Sequence, residues 1–270
     1  MHLKFAFLIV ISGLLASYSL NSRANITVLD FDSFTDGQII DSEYLAEYGV
    51  SVESVNYIDG IANNGNEVSG RQVAFNTLNN NSYDDDLEYN NNSNDYNNQD
   101  SAFHYTALNL PGYTGSSNPG NILILQENGS GCGDGVCDRP DDEGSRAAGY
   151  FTFTFSNVVN ILNIDFFDIE DKAGQDDSYS EIHFFDQDNN EVHQGNFIPG
   201  MGDGQFFRQD FQNITGVKRL VLNMPGSGGL DNLAFETTDV PEPVSIAIFV
   251  TALLFFTRRK QAKLISAEQQ

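Results

Sequence analysis

Asp231 sits between Leu230 and Leu233, an apolar setting where a carboxylate is costly unless something pairs with it or binds it. A turn or capping carboxylate at a strand start is the plainer alternative. A second acidic group runs through Asp165, Asp168, Glu170 and Asp171, followed by Asp176 and Asp177. Asp168 and Glu170 alternate with Phe167 and Ile169, so both could project from one face of a strand end, as metal ligands or as part of a solvated acidic loop. A third group, Asp134, Asp138, Asp141, Asp142 and Glu143, surrounds Cys132 and Cys137. It lacks the residue order of an EF-hand loop, so any calcium it took would be held weakly. All three groups offer the hard oxygen ligands that calcium prefers.

Catalysis has thinner support. Paired carboxylates run glycoside hydrolysis, but in a chain with 38 acidic residues a pair in sequence singles out nothing. His104, His183 and His193 are scattered, and His183, beside Phe184 in a β-type run, reads as a face residue rather than a base. There is no Gly-x-Ser-x-Gly elbow, phosphate loop or dinucleotide fingerprint. Cys132 and Cys137 favour a small local disulfide in an exported chain over a metal pair, because zinc needs a fuller ligand set and no other Cys or His lies close. Tyr83, Tyr89, Tyr96, Tyr105 and Tyr113 could present ring faces to a sugar, or be loop aromatics with no such role. No Thr-x-Thr ladder supports a flat ice-binding face.

The elements that must position these groups read as strands. Candidates are Ile26–Asp30, Val50–Tyr57, Gln72–Phe75, Asn121–Gln126, Tyr150–Phe155, Val158–Asp168, Ser180–Asp186, Gln205–Phe211, Val217–Met224 and Leu230–Phe235. Phe151, Phe153 and Phe155 share one face, as a half-buried strand requires. Ile161–Phe167 is more continuously apolar, as expected of a strand covered on both sides. The segment Asp186-Gln187-Asp188-Asn189-Asn190-Glu191 predicts a hairpin turn, since Asn and Asp tolerate left-handed backbone. No segment of the domain carries a sustained helical period. Many short strands with Gly, Asn and Asp turns predict an all-β sandwich or jelly roll. Residues 79–100 are low in complexity and predict a long disordered loop inserted into it. The run Gly129–Gly144 predicts a second surface loop, pinned by the cysteines.

Charge narrows the partners. Residues 25–240 hold seven basic residues against 36 acidic ones, a net charge of −29. Such a surface repels nucleic acid and anionic lipid. It suits divalent cations, high salt or a hydrated polymer matrix, though solubility alone would also account for it.

Neither end reads as part of the fold. His2 and Lys4, the apolar run Phe5–Ala16, and Ser22-Arg23-Ala24 have the order of a cleavable secretory signal over residues 1–24. At the other end come Val240-Pro241-Glu242-Pro243, an apolar run Val244–Thr257, and Arg258-Arg259-Lys260. A helix of that run would rise about 21 Å, short of a typical hydrocarbon core. It could insert by thinning the bilayer or by snorkelling its basic end, which would stay cytoplasmic and leave the domain outside.

That ordered triplet of Pro-Glu-Pro, short apolar helix and basic end resembles the PEP-CTERM sorting signal; the resemblance covers residues 239–262, with 263–270 as a cytoplasmic tail. It implies processing near Pro241-Glu242-Pro243 by an exosortase-type enzyme in a Gram-negative bacterium that makes extracellular polysaccharide. The chain would be exported, transiently anchored in the membrane, and then placed on the outer surface or in the matrix. Two departures stand out: the apolar run has few glycines, and ten residues follow the basic cluster.

The body between the ends, residues 25–238, is similar to β-sandwich ectodomains found ahead of such signals. The similarity rests on Phe31-Asp32-Ser33-Phe34-Thr35-Asp36-Gly37, Tyr48-Gly49-Val50-Ser51-Val52, Phe151-Thr152-Phe153-Thr154-Phe155, and Gly228-Gly229-Leu230-Asp231-Asn232-Leu233-Ala234-Phe235. It implies a jelly-roll or galactose-binding-like sandwich and names no ligand. In jelly rolls of that kind one structural Ca²⁺ often joins the first and last strands; the matching positions here are Asp30 or Asp32 and Asp231, with Asp168 and Glu170 as a further candidate pair. The resulting expectation is a non-enzymatic, polysaccharide-matrix-associated protein. The alternatives are a calcium-supported carbohydrate-binding module and a secreted glycoside hydrolase.

Overall fold

In a computed structural model, which describes residues 25–57, 67–79, 87–89, 105–127, 131–142, 147–169, 181–196 and 205–237, the expected strands over 150–155 and 158–168 are one strand. This strand, β8 (Gly149–Phe167), runs for 19 residues. Its partner β11 (Phe206–Met224) likewise joins two expected strands into one of 19 residues. The two pair antiparallel, Phe206 opposite Phe167 and Met224 opposite Gly149, with register shifts between Asp210 and Arg219. Such irregularities bend a strand and raise its twist, and each half of β8 and β11 serves a different layer.

The first half of β8 pairs with β2 (Val50–Tyr57), which pairs in turn with β3 (Glu67–Ser69). The second half of β11 pairs with β9 (Glu181–Phe185), and β9 with the edge strand β10 (Glu191–Asn196). Beyond the bend, β8 pairs with β12 (Gly229–Thr237), β12 with β7 (Asn121–Leu125), and β7 with β4 (Gln72–Asn76). The strand β1 (Asn25–Leu29) pairs with β12, so the first and last strands meet. A small ribbon of β5 (Asn109–Leu110) and β6 (Tyr113–Thr114) lies outside this sheet. The single short helix among the described residues, α1 (Leu45–Tyr48), ends at Gly49, whose φ of 69° lets its N–H bond back to the Leu45 carbonyl. The chain is therefore an all-β sandwich.

Side-chain alternation sorts the core into layers. Val50, Val52, Phe151, Phe153, Phe155, Ile182, Phe184, Leu220 and Leu222 face Leu29, Leu123, Leu125, Ile161, Phe166, Leu230 and Phe235 in one cluster. Phe155 meets Phe235 edge-on at 5.1 Å, and Phe184 meets Phe211 at 5.3 Å. The residues between them on β4, β7 and β8 point the other way: Val73, Phe75, Ile122, Ile124 and Phe167 form a second cluster with Leu87, Tyr105 and Cys137. Connecting segments thus cover the far face of the β4–β7–β12–β8 layer. This is why β7 is buried at every position while β2 and the start of β8 alternate.

The Asp186–Asn190 turn takes the expected form. Asn189 has φ 62°, and Asp186 Oδ1 accepts from the N–H groups of Asp188 and Asn190 at 2.9 Å. Of residues 79–100, only 79 and 87–89 are described; Leu87 is fully buried and Tyr89 rests edge-on against Tyr105, so this part of the low-complexity stretch packs.

Candidate functional site

Asp165 on β8 and Asp231 on β12 stand opposite each other on one rung of the ladder. Both are buried, Asp165 at 0% and Asp231 at 2% exposure. Between Asp231 and Ala234 the register shifts, and Asn232 adopts φ 50°. Simple alternation would send Asn232 to the opposite face. The bulge and left-handed backbone turn it back, and its amide nitrogen donates to Asp231 Oδ2 at 2.8 Å and Asp165 Oδ2 at 3.0 Å.

Arg208, opposite Asp165 on β11, completes one half of the cluster. Its Nε and Nη2 donate to the two oxygens of Asp165 at 2.6 Å each, a bidentate fork, and Nη2 also donates to the Thr106 carbonyl at 2.9 Å. Burial pushes Asp165 above the usual carboxylate range, and Arg208 pulls it partly back. Asp231 has no cation. Burial first, and then the like charges of Asp165, Asp32 and Asp30, hold it well above the usual range.

Asp30 and Asp32 arrive from the end of β1. The Asp32 N–H donates to the Asp30 carbonyl, closing a three-residue turn on Phe31, which is held at φ 40°. A bulky residue resists that conformation. Here it is fixed by burial of the Phe31 ring, an edge contact with Tyr44 at 5.7 Å, and an N–H bond to the Tyr44 hydroxyl at 3.0 Å. Asp32 Oδ1 accepts from the Asn121 N–H at 2.9 Å, and burial raises Asp32 as well. Gly120, at φ 67°, leaves the room: a Cβ there would lie 1.8 Å from Asp32 Oδ1.

Tyr113 links the two groups. Its hydroxyl lies 3.2 Å from Asp30 Oδ2 and 3.2 Å from Asn232 Oδ1. A phenol has one proton and faces two acceptors here. Asp231 Oδ1 has no hydrogen-bond partner. The cluster is short of donors and rich in oxygens, a composition that fits a hard cation. Among the described residues, no group of three or more His, Cys, Asp or Glu side chains is placed to hold a metal ion, so a cation here would rest on Asp231. The oxygens of Asn232, backbone carbonyls and water would have to complete the shell.

Asp165, Asp32 and Asp30 all act on Asp231 through their charge. Asp168 lies three residues further along the chain than Asp165. It is fully buried beyond the end of β8 at φ 51°. Glu170, Asp171, Asp176, Asp177 and Glu143 lie outside the described residues, as do the signal segment, Pro241, Glu242, Pro243, Arg258, Arg259 and Lys260. The third acidic group is split: Asp134 and Asp138 are exposed, whereas Asp142 is buried and accepts from the Gly228 N–H. Cys132 and Cys137 form the expected disulfide. The loop they close docks on the sheet edge, with Ile39 N–H bonding the Gly135 carbonyl at 2.8 Å and Cys137 N–H the Gly37 carbonyl at 2.7 Å.

Of the five tyrosines that could be a sugar platform or plain loop aromatics, Tyr89, Tyr105 and Tyr113 are described. Tyr105 is 8% exposed and packs on Phe167 and Phe206, and Tyr113 is occupied with Asp30 and Asn232. Tyr83 and Tyr96 lie outside the described residues, as does His104. His183 is a face residue: Glu181 and Glu191 hold its two ring nitrogens at 3.1 and 2.5 Å. Arg208 and Asn232 were not singled out from sequence. The legible signal was indirect: Arg208 is one of only seven basic residues in the domain, and Asn232 directly follows the misplaced Asp231.

No family model and no curated protein matches the chain. Among solved structures, the chain is similar to a mutant of the lectin binding domain of Lectinolysin in complex with Lewis b. The TM-score is 0.22 at 7% identity, over 34% of this chain and 66% of that one. It is also similar to a Streptococcus pneumoniae fucose binding module, at a TM-score of 0.23 and 13% identity, over 35% of this chain and 68% of that one. The chain therefore spans about two thirds of each, and likenesses this slight carry no argument about ligand.

Proposed function

We propose that this chain is an exported, non-enzymatic surface or extracellular-matrix protein whose sandwich is closed by one divalent cation, calcium by preference. The observation that carries the reading is Asp231 Oδ1, buried and without a hydrogen-bond partner, on a carboxylate that also feels the like charges of Asp165, Asp32 and Asp30. A carboxylate in that position needs a proton or a cation. Asp231 would hold the ion with the Asn232 carbonyl oxygen, backbone carbonyls and water, an all-oxygen set of the kind calcium accepts in irregular geometry, while Asp30 and Asp32 add negative charge nearby. Bound there, the cation supplies the positive charge that joins the chain leaving β1 to β12. Arg208 neutralises Asp165, Asn232 orients Asp231, and Tyr105 and Tyr113 help to exclude water.

Export and placement rest on sequence. Residues 1–24 supply a signal, and 239–262 a PEP-CTERM-type segment for an exosortase-type enzyme. A net charge of −29 over residues 25–240 suits a hydrated polysaccharide matrix and opposes nucleic acid. Native mass spectrometry tests the whole reading, using protein recovered from a Gram-negative host that carries an exosortase and expresses the full chain. The expected species is cut after Ala24 and near Pro241–Pro243, keeps its disulfide, and retains one calcium. Recovery from the cytosol with both ends intact overturns it.

A specific observation favours a second reading, a calcium-supported carbohydrate-binding module. On outward rungs of β9 and β11, the Arg219 guanidinium lies 3.7 Å over the Phe185 ring, and the His183 ring stacks on Phe185 at 6.3 Å. Planar groups of this kind are what the C–H face of a sugar ring packs against. A saturable hit on a glycan array, lost in Phe185→Ala, supports this reading; no hit rejects it. Among the described residues a glycoside hydrolase finds no such support, since Asp168 is sealed from solvent and Asp165 is committed to Arg208; Glu170 lies outside them.

A further inference from the structure

Resting on the cation reading above, we infer that Asn232 is the positioning residue of the site, and that its neutral amide, rather than an additional carboxylate, lets Asp231 take the ion.

Three observations place Asn232 in that role. Its backbone, at φ 50° in a bulge, puts its side chain on the same side as Asp231, and only Asn, Asp or Gly takes that conformation readily. Its amide nitrogen spends both protons on carboxylates, one on Asp231 Oδ2 at 2.8 Å and one on Asp165 Oδ2 at 3.0 Å. That fixes the amide, because the flipped form would set a carbonyl against two carboxylates. The Asn232 carbonyl oxygen is thereby turned toward the Tyr113 hydroxyl, where Asp30 Oδ2 also converges.

The consequence is a division of labour between two facing carboxylates. Asp165 takes both Arg208 bonds and one amide proton, so its charge is answered. Asp231 receives the other amide proton on Oδ2, the Asn232 backbone N–H also acts on its carboxylate, and Oδ1, which has no hydrogen-bond partner, is left for the cation. Charge counting on its own predicts that a further carboxylate at position 232 tightens cation binding. The geometry predicts the reverse. Asn232→Asp deletes both donated bonds and sets a third carboxylate against Asp165 and Asp231, so the ligands repel before the ion arrives.

Terbium(III) is the probe, because the chain has no Trp and its tyrosines can sensitise terbium emission. Tyr44, Tyr105 and Tyr113 all feel the charge of Asp231, which places them around the site. In the full-length wild-type chain, tyrosine-excited emission should rise to saturation and be displaced by calcium. In Asn232→Asp the affinity should fall roughly 10- to 100-fold, the usual cost of losing an orienting partner. Asn232→Gly keeps the backbone, adds no charge and should also bind more weakly, so it tests the same claim if the Asp variant does not fold. A wild-type chain with no calcium-displaceable emission overturns the cation reading itself. Wild-type binding with either variant equal or tighter overturns the role of Asn232 alone.

Discussion

Asp165 and Asp231 face each other across β8 and β12, and only Asp165 is answered by a cation, the bidentate Arg208. That asymmetry organises the buried end of the sandwich. Two facing carboxylates in a dry interior repel unless each is compensated. One is compensated by Arg208, the third residue of β11; the other awaits a proton or an ion.

Arg208 should be costly to remove. Arg208→Met leaves Asp165 buried and uncompensated, and breaking a buried pair this way costs roughly 3–5 kcal/mol. Adding Asp165→Asn should recover much of the loss. Urea denaturation of the two variants measures this; equal stability of the single and double variants would count against the pairing.

The cation-free protein should lose stability as pH rises. Burial raises Asp231, Asp165 and Asp32 above their ordinary values, so the folded chain binds more protons than the unfolded chain from the ordinary carboxylate range upward. Stability from these groups is full below the unfolded values and declines as pH climbs through the folded ones. In chelator, the melting temperature should be higher near about pH 5 than near about pH 8, with a smaller difference in Asp231→Asn. A flat or rising profile would contradict the assignment.

Gly120→Ala should harm the site from outside it. The new Cβ meets Asp32 Oδ1 at 1.8 Å and sits on a backbone with φ 67°. Asp32 must move and give up its bond from Asn121. A loss of roughly 1–3 kcal/mol is expected, together with weaker calcium binding. Thermal melts with and without calcium report both.

Replacing Cys132 and Cys137 with Ser should cost about 2 kcal/mol on chain-entropy grounds, given the short loop. The loss should appear as faster hydrogen exchange at the Ile39 and Cys137 amides, which bond the loop to the sheet edge. Unchanged protection at those amides would mean that the disulfide does not hold the loop in place.

Strands were legible where one face is wet. Phe151, Phe153 and Phe155 alternate with polar neighbours, and the structure buries that face. The long strands were not legible as single elements. Ser156-Asn157 in β8 and Gln212 to Gly216 in β11 look like breaks, and only pairing between the two strands carries the chain through them. Asp231 announced itself by its apolar neighbours, but Arg208 did not, because its partner is 43 residues away in sequence. Asn232 was hidden for a local reason: its side chain reaches Asp231 only through a bulge that pairing with β8 imposes. Tyr105 and Tyr113 pack against the sheet, which their place between strands in sequence did not reveal.

Differential scanning calorimetry of the chelator-stripped full-length chain, wild type and Asp231→Asn, with and without calcium, tests the cation clamp most directly. At a calcium concentration about 100-fold above Kd, the wild type should gain roughly 2.7 kcal/mol, a rise of roughly 5–10 °C in melting temperature for a domain of this size. Asp231→Asn should melt at or above the wild type in chelator and gain nothing from calcium. A wild type indifferent to calcium, or an Asp231→Asn variant that gains as much, would contradict the account.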